Sequence, residues 1–288
     1  MLTETAYAKI NLALHVRARR NDGYHDIESV FAFAQDGDRL SADLRQDGRF
    51  SLSIDGPFAS GLSVAPDNLV IRAASALRGA CGVAAGADLY LTKNLPVASG
   101  IGGGSADAAA ALRLLSRLWK LTPADTGMAA VMVNNLVRLA GDLGSDVPAC
   151  VVSQTLVGTG RGEALDLREI NGLSGMPLLL VNPSKSLSTA QVFADWDGLD
   201  RGPLQCESLE QIVAIGRNDL QPPAIRLIPE IAGILAELEG LDEVVLARMS
   251  GSGATCFALF SDEAALARGS KSLQMAHPKW WIMTSKVR

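Results

Sequence analysis

Apolar and polar residues alternate through positions 3–17 and again through 25–34, and the NDGY turn between them folds the two runs into a long hairpin. Two further short strands are expected near Arg39–Leu44 and Phe50–Ile54, each flanked by Asp and Gly. The period then changes. Leu69, Ala73, Ala76 and Leu77 fall on one helical face, so Asn68–Arg78 reads as a helix capped by Asp67. Ala87–Lys93 reads as a strand entering a glycine-rich stretch, and Ala106–Trp119 is rich in Ala and Leu with no breaker. Thr122 and Pro123 open a further helix to about Ala140, and Ala149–Ser153 reads as a strand.

Beyond a glycine-bearing stretch at 158–162 the expected order is strand 177–182, helices within 188–240, strands 243–249 and 255–260, helix 262–275 and strand 280–285. That β-α-β-β-α-β order is the pattern of an antiparallel sheet backed by helices, as in ferredoxin-like domains. The expectation is an α+β chain of two domains, 1–160 and 161–288, with the boundary near Gly160.

A length of 288 residues suits two domains, and 48% hydrophobic with 20% charged residues is a globular balance. The stretch TAYAKINLALHV is interrupted by Lys9 and Asn11, so it is read as neither leader nor membrane span, and the expected location is the cytoplasm. A net charge of −5, with Lys and Arg scattered, argues against nucleic acid as a partner. Anionic ligands would then need local cations, and Lys9 and Lys93 are the candidates. Cys81, Cys150, Cys206 and Cys256 form no metal-ligand spacing and are read as reduced, structural thiols.

The strongest chemical signal is LPVASGIGGGSADAA. Glycines let a backbone fold around an anion, and the N–H groups at a helix start favour negative charge. Pro96, Val97, Ala98, Ser99, Gly100, Ile101, Gly102, Gly103, Gly104 and Ser105 are therefore candidate phosphate-binding residues. Neither a Walker A loop nor GxGxxG is present, and a plain tight turn is the alternative. Ser105 is a helix cap, a ligand of Mg²⁺ and phosphate, or both. In AKINLALHV, Lys9 and Asn11 are two apart on a strand and face one side, which is either a cleft lining or the solvated face of an edge strand. DGYHD presents Tyr24 and His25 from a turn, as packing or as ligand contacts. GDLGSDVP offers Asp146 as a general base, with Asp142 as competitor, and MSGSGATCF is a second Gly-Ser loop joining two strands.

Taken together, these five segments resemble the GHMP kinase superfamily over nearly the whole chain. DGYHD separates it from the homoserine, galactose and mevalonate kinases of that superfamily, and Ser99 stands where an alanine or glycine is usual. The resemblance implies a ribosomal-protein-S5-like N-terminal domain, a ferredoxin-like C-terminal domain and an active site in the cleft between them. It also implies ATP and Mg²⁺ as cofactors and a cytidine diphosphate-linked polyol as the small-molecule substrate, with no nucleic-acid or membrane partner. By the same resemblance Asp146 is the base, and Lys9 orients that carboxylate and the reacting hydroxyl. Tyr24 and His25 hold the cytosine, Asn11 and Thr189 the polar part of the substrate, and Asn68 and Lys93 the adenine side of ATP. GRNDLQPP shares the resemblance without an assignable chemistry. A regulator that kept the fold and lost turnover would lack Lys9 or Asp146, and a nicotinamide-dependent oxidoreductase would need a complete GxGxxG.

Overall fold

The computed structural model of the chain describes residues 1–121 and 126–288, and it divides into two compact units. One comprises residues 1–8, 36–97 and 102–153; the other comprises 9–35, 98–101 and 154–288. Two long strands, β1 (Leu2–Arg19) and β2 (His25–Arg45), supply residues to both units. The turn between them is closed by the Arg20 amide on the Tyr24 carbonyl at 2.8 Å. The separate strand expected at Arg39–Leu44 is the continuation of β2. Gly37 lets the strand pass through, because a Cβ there would sit 1.9 Å from the Ala6 carbonyl oxygen.

In the first unit β2 pairs antiparallel with β4 (Gly86–Thr92), which pairs parallel with β3 (Phe50–Asp55). Among the described residues four helices belong to this unit: α1 (Leu69–Cys81), α2 (Gly103–Leu118), α3 (Thr126–Gly141) and α4 (Val147–Val152). The Ala-rich face of α2 is buried from Ala106 to Leu112, which lets α1 and α4 pack closely on it. The cap of α1 is Asn68 rather than Asp67: its side chain accepts the Val70 amide at 2.9 Å. The buried face of α1 is Val70, Ala73, Ala74 and Leu77, one step round from the expected stripe. Thr122 and Pro123 lie outside the described residues. The strand expected at Ala149–Ser153 is the helix α4 instead, with Pro148 in its first turn and Ser153 closing it in the left-handed region. A short apolar run has no period that separates strand from buried helix, so the proline's fixed φ decides.

The second unit carries β2 paired with β5 (Leu156–Gly160), which pairs with β6 (Ala164–Leu167). After these come β7 (Pro177–Asn182), α5 (Thr189–Ala194), α6 (Leu209–Ile215), α7 (Gln221–Leu227) and α8 (Glu230–Glu239). The chain ends with β8 (Val244–Met249), β9 (Cys256–Phe260), α9 (Glu263–Ala276) and β10 (Trp281–Lys286). The sheet order is β10-β7-β9-β8, every pairing antiparallel, with α8 and α9 packed on it. This is the β-α-β-β-α-β arrangement expected from the sequence. All four cysteines are free thiols, and among the described residues no helix is long and apolar enough to cross a membrane.

Gly37→Ala should lower the free energy of unfolding by about 1–3 kcal/mol, the usual cost of forcing atoms into filled space. Gly79→Ala should raise it by about 0.4–1 kcal/mol, because that glycine sits within α1 with nothing within 4 Å of its added Cβ. Urea denaturation of both variants measures the contrast.

Candidate active site

The glycine-rich loop is anchored at its entry by a buried charge cluster. Lys93, just past β4, donates to Asp107 of α2 at 2.7 Å and makes a short contact with Asp38 of β2. All three side chains are buried, and the other Asp38 oxygen accepts the amides of Asn94 and Leu95 at 2.5 and 2.8 Å. Burial raises the Asp107 pKa above the ordinary carboxylate value against the opposing pull of Lys93, and its Oδ1 has no hydrogen-bond partner. Gly103 lies on this cluster, with its Cβ position 3.1 Å from the Lys93 ammonium nitrogen. Lys93, an expected ATP ligand, is thus flanked by two carboxylates within the first unit.

Helix α2 starts three residues earlier than its composition suggests. Gly102 is its N-cap in the left-handed region, without a side-chain cap. Ser105 is therefore the third helical residue and not the cap. A helix of 16 residues that opens on Gly103-Gly104-Ser105 with no acid in its first turn leaves its first amides without intrahelical acceptors. These residues fit a phosphate: small side chains, exposed Gly104, and positive helix polarity.

Residues 98–101 of the loop belong to the second unit, and their carbonyls are all engaged there. Ala98 accepts from Leu187, Ser99 from Thr255 and Ile101 from the Lys9 amide, at 3.1–3.2 Å, while Gly100 accepts the Ser250 hydroxyl at 3.0 Å. In α2 the Gly102 carbonyl accepts Ala106 at 2.8 Å. A trans peptide points its N–H opposite to its C=O, so each bonded carbonyl turns the amide that follows it away from that carbonyl's donor. Gly100 has φ +78°, and a Cβ there would meet the Ser250 carbonyl oxygen at 2.3 Å. The MSGSG loop between β8 and β9 therefore packs directly against the glycine loop's backbone.

Lys9 and Asn11 do share one side of β1, but both are buried, so the solvated edge strand is excluded. The Lys9 ammonium donates to Asn11 Oδ1 at 3.0 Å and lies 5.2 Å from the centroid of Phe31. Asn11 Nδ2 donates to Ser29 at 2.8 Å, and Ser29 donates to the Ala13 carbonyl at 2.7 Å. The amide of Asn11 donates to Ser250, which joins this pair to the MSGSG loop at 3.2 Å.

Tyr24 is 54% exposed, and the guanidinium of Arg161 lies 5.0 Å from its ring centroid. The adjacent His25 is only 8% exposed and packs against Phe193 of α5 and Trp196, with centroids 4.9 and 5.6 Å away. Burial first, and then Arg19, lowers the His25 pKa from its ordinary value of 6.5. Thr189 opens α5, one turn before Phe193, and shares a hydrogen bond of 2.9 Å with Ser252. Asp146 stands at the N-cap of α4 but does not cap it with its side chain. Asn68 uses its amide on α1 and on the Ser63 carbonyl at 2.7 Å. Asp142 is exposed in the turn after α3.

Sequence reasoning missed Asp38, Asp107, Phe193 and Trp196. Asp38 and Phe193 lie far in sequence from the motifs they support, so no local spacing reveals them. Asp107 is inside the glycine motif, and its position five residues into α2 was the available signal. Lys93→Met should destabilise the protein by about 3–5 kcal/mol by stranding buried carboxylates. Lys185→Met should cost less than about 1 kcal/mol, because its Glu230 pair is exposed on both sides. Thermal and urea unfolding distinguish the two.

Two family descriptions match the chain: GHMP kinases N terminal domain over residues 68–154 and GHMP kinases C terminal over residues 206–275. The 4-diphosphocytidyl-2-C-methyl-D-erythritol kinase of Rhizorhabdus wittichii is 50% identical over 288 residues, covering 99% of this chain and 94% of that relative. The protein of the same name from Sphingopyxis alaskensis is 49% identical over 292 residues, covering 100% and 99%. A crystal structure of 4-(cytidine 5'-diphospho)-2C-methyl-D-erythritol kinase matches with a TM-score of 0.76 and 31% identity, covering 99% of each chain. With glycine loop, Lys9–Asn11 pair and C-terminal sheet all in the expected segments, the chain belongs to the GHMP kinase family, among its 4-diphosphocytidyl-2-C-methyl-D-erythritol kinases.

Proposed function

We propose that this protein transfers the γ-phosphate of ATP to the 2-hydroxyl of 4-diphosphocytidyl-2-C-methyl-D-erythritol, in the non-mevalonate route to isoprenoid precursors. The observation that carries this reading is the loop at Leu95–Ser105, whose carbonyls are turned into the protein ahead of the uncapped start of α2. Such a start attracts the phosphates of ATP. Relatives at 44–50% identity over nearly the full length bear the name of this kinase, which supports the choice of alcohol.

Transfer needs a base for the attacking hydroxyl and cations against the developing charge. In this reading Asp146 takes the proton and Lys9 orients the reactants, its ammonium kept in place by Asn11 Oδ1. Asn11 and Thr189 address the polar part of the acceptor, while Tyr24 and His25 address its cytosine. Asn68 and Lys93 are proposed on the ATP side, Lys93 through the loop that it anchors. Among the described residues no cluster of three or more His, Cys, Asp or Glu could hold a metal. In this reading Mg²⁺ would be held by the phosphates and the Ser105 hydroxyl and would neutralise charge there.

A coupled ADP-release assay with ATP and Mg²⁺ tests the reading: turnover is expected with the cytidine-linked polyol and not with mevalonate, homoserine or galactose. Equal turnover on one of the latter overturns the substrate assignment. Asp146→Asn should lose at least ~100-fold in kcat while calorimetry still detects ATP, the low end of what a positioned base contributes. Lys9→Arg should not restore what Lys9→Ala loses, since a planar guanidinium does not replace a compact ammonium.

Tyr24→Ala should raise KM for cytidine and uridine versions of the substrate alike, because stacking is worth about 1–3 kcal/mol on any base. His25→Ala should narrow the gap between them and leave the KM for ATP unmoved. Because the His25 pKa lies below 6.5, the ring is neutral above that pH and gains a proton only in more acid solution. KM for the cytidine substrate should then be flat from neutral pH upward and change only on acidification, a change that His25→Ala abolishes. A substrate KM that shifts equally in both proteins would assign that titration elsewhere.

A further inference from the structure

The segment GRNDLQPP, chemically silent in the sequence, holds the MSGSG loop in place. Its Arg217, Asn218 and Asp219 run alongside β1: the Leu14 amide donates to the Arg217 carbonyl at 2.8 Å, and the Asp219 amide to the Leu14 carbonyl at 2.9 Å. The two side chains then act on different partners. Asp219 accepts the Val16 amide and the Arg217 guanidinium, both at 2.8 Å, and so serves the strand. Asn218 is 6% exposed and serves the loop. Its Nδ2 donates to the carbonyls of Met249 and Gly251, at 2.7 and 2.8 Å, and its Oδ1 accepts the Leu220 amide at 2.9 Å. Both amide hydrogens are thus directed at one short stretch of loop. Gln221 adds a bond from the other side of the same residue, accepting the Met249 amide at 3.2 Å.

That stretch touches the groups assigned to phosphoryl transfer. A Cβ on Gly251 would lie 2.7 Å from the Gly100 carbonyl oxygen and 3.2 Å from Asn11 Oδ1, the atom that receives the Lys9 ammonium. Ser250 donates to the Gly100 carbonyl and accepts the Asn11 amide. We infer that Asn218 is a positioning residue for phosphoryl transfer: it fixes the MSGSG loop, which sets the Gly100 peptide and the Lys9–Asn11 pair. This rests on the kinase reading above. A carboxamide matches this arrangement, with two hydrogens for two carbonyls and an oxygen for the Leu220 amide.

The test compares Asn218→Asp, Asn218→Ala, Gln221→Ala and Asp219→Asn, with steady-state kinetics taken well below each melting temperature. Aspartate has asparagine's shape but turns an acceptor toward two carbonyl oxygens, so a packing role would make it the mildest change and a donating role the worst. Asn218→Ala should lower kcat about tenfold, Asn218→Asp further, and Gln221→Ala about threefold, as expected for buried carbonyls and amides left unpaired. Asp219→Asn should lower the melting temperature and leave kcat within about twofold of the parent, because its bonds serve Val16 and not the loop. An aspartate variant as active as the parent or milder than alanine overturns the inference, as does an equal kcat loss in Asp219→Asn. Should neither Asn218 variant fold, unchanged kcat in Gln221→Ala overturns it. If the parent protein fails to phosphorylate the cytidine-linked polyol, the substrate reading fails. The affinity of a non-hydrolysable ATP analogue with Mg²⁺, by calorimetry, then decides this inference: weaker in Asn218→Asp than in Asp219→Asn supports it, and equal affinity overturns it.

Discussion

The orientation of the peptide planes between Ala98 and Gly103 is the constraint on which the proposed phosphate site depends. An anion is bound by N–H groups only when the carbonyls of the same peptides find acceptor roles elsewhere, because an unpaired buried carbonyl costs about 1–3 kcal/mol. Here Leu187, Thr255, Ser250, Lys9 and Ala106 each supply one donor. Those donors come from four separate parts of the chain, since Thr255 and Ser250 share the MSGSGATCF segment. The loop's conformation is consequently a property of the folded second unit and of α2, and less of the glycines themselves, whose task is to tolerate it.

The same logic explains the buried polar groups around the loop. Lys93 between Asp38 and Asp107 is expensive to bury and gives little net stability relative to an apolar core. It does fix three elements, β4, β2 and α2, at the point where the loop begins. Asn218 does the corresponding task for the MSGSG loop with an uncharged side chain. Lys9 and Asn11 form a third such pair, buried on β1 and tied to Ser29 and Ser250. Rigidity bought in this manner suits a reaction whose rate comes from positioning and electrostatics.

The two residues proposed for cytosine recognition are held differently. Tyr24 projects from the hairpin turn beside Arg161, whereas His25 is sunk between Phe193 and Trp196. An exposed ring lends affinity with little discrimination, and a buried imidazole of lowered pKa offers a neutral hydrogen-bonding edge. Tyr24 lies in the turn and His25 is the first residue of β2, so the DGYHD segment carries one exposed and one buried ring side by side in the chain.

By itself the sequence determined the β-α-β-β-α-β half, the long hairpin and the motif segments, because periodicity, turn residues and glycine runs are local signals. It placed Lys9 and Asn11 on one side of β1 for the same reason. It misjudged Ala149–Ser153, where a run of four apolar residues has no period, and the start of α2, where a glycine caps without any side chain. Only the tertiary structure decided that Asp38 anchors the glycine loop, that Phe193 and Trp196 enclose His25, and that Asn218 grips the MSGSG loop. Each of these joins residues that are more than thirty positions apart. Contacts at that separation are set by strand pairing and packing, and no residue pattern along the chain encodes which pairs will meet.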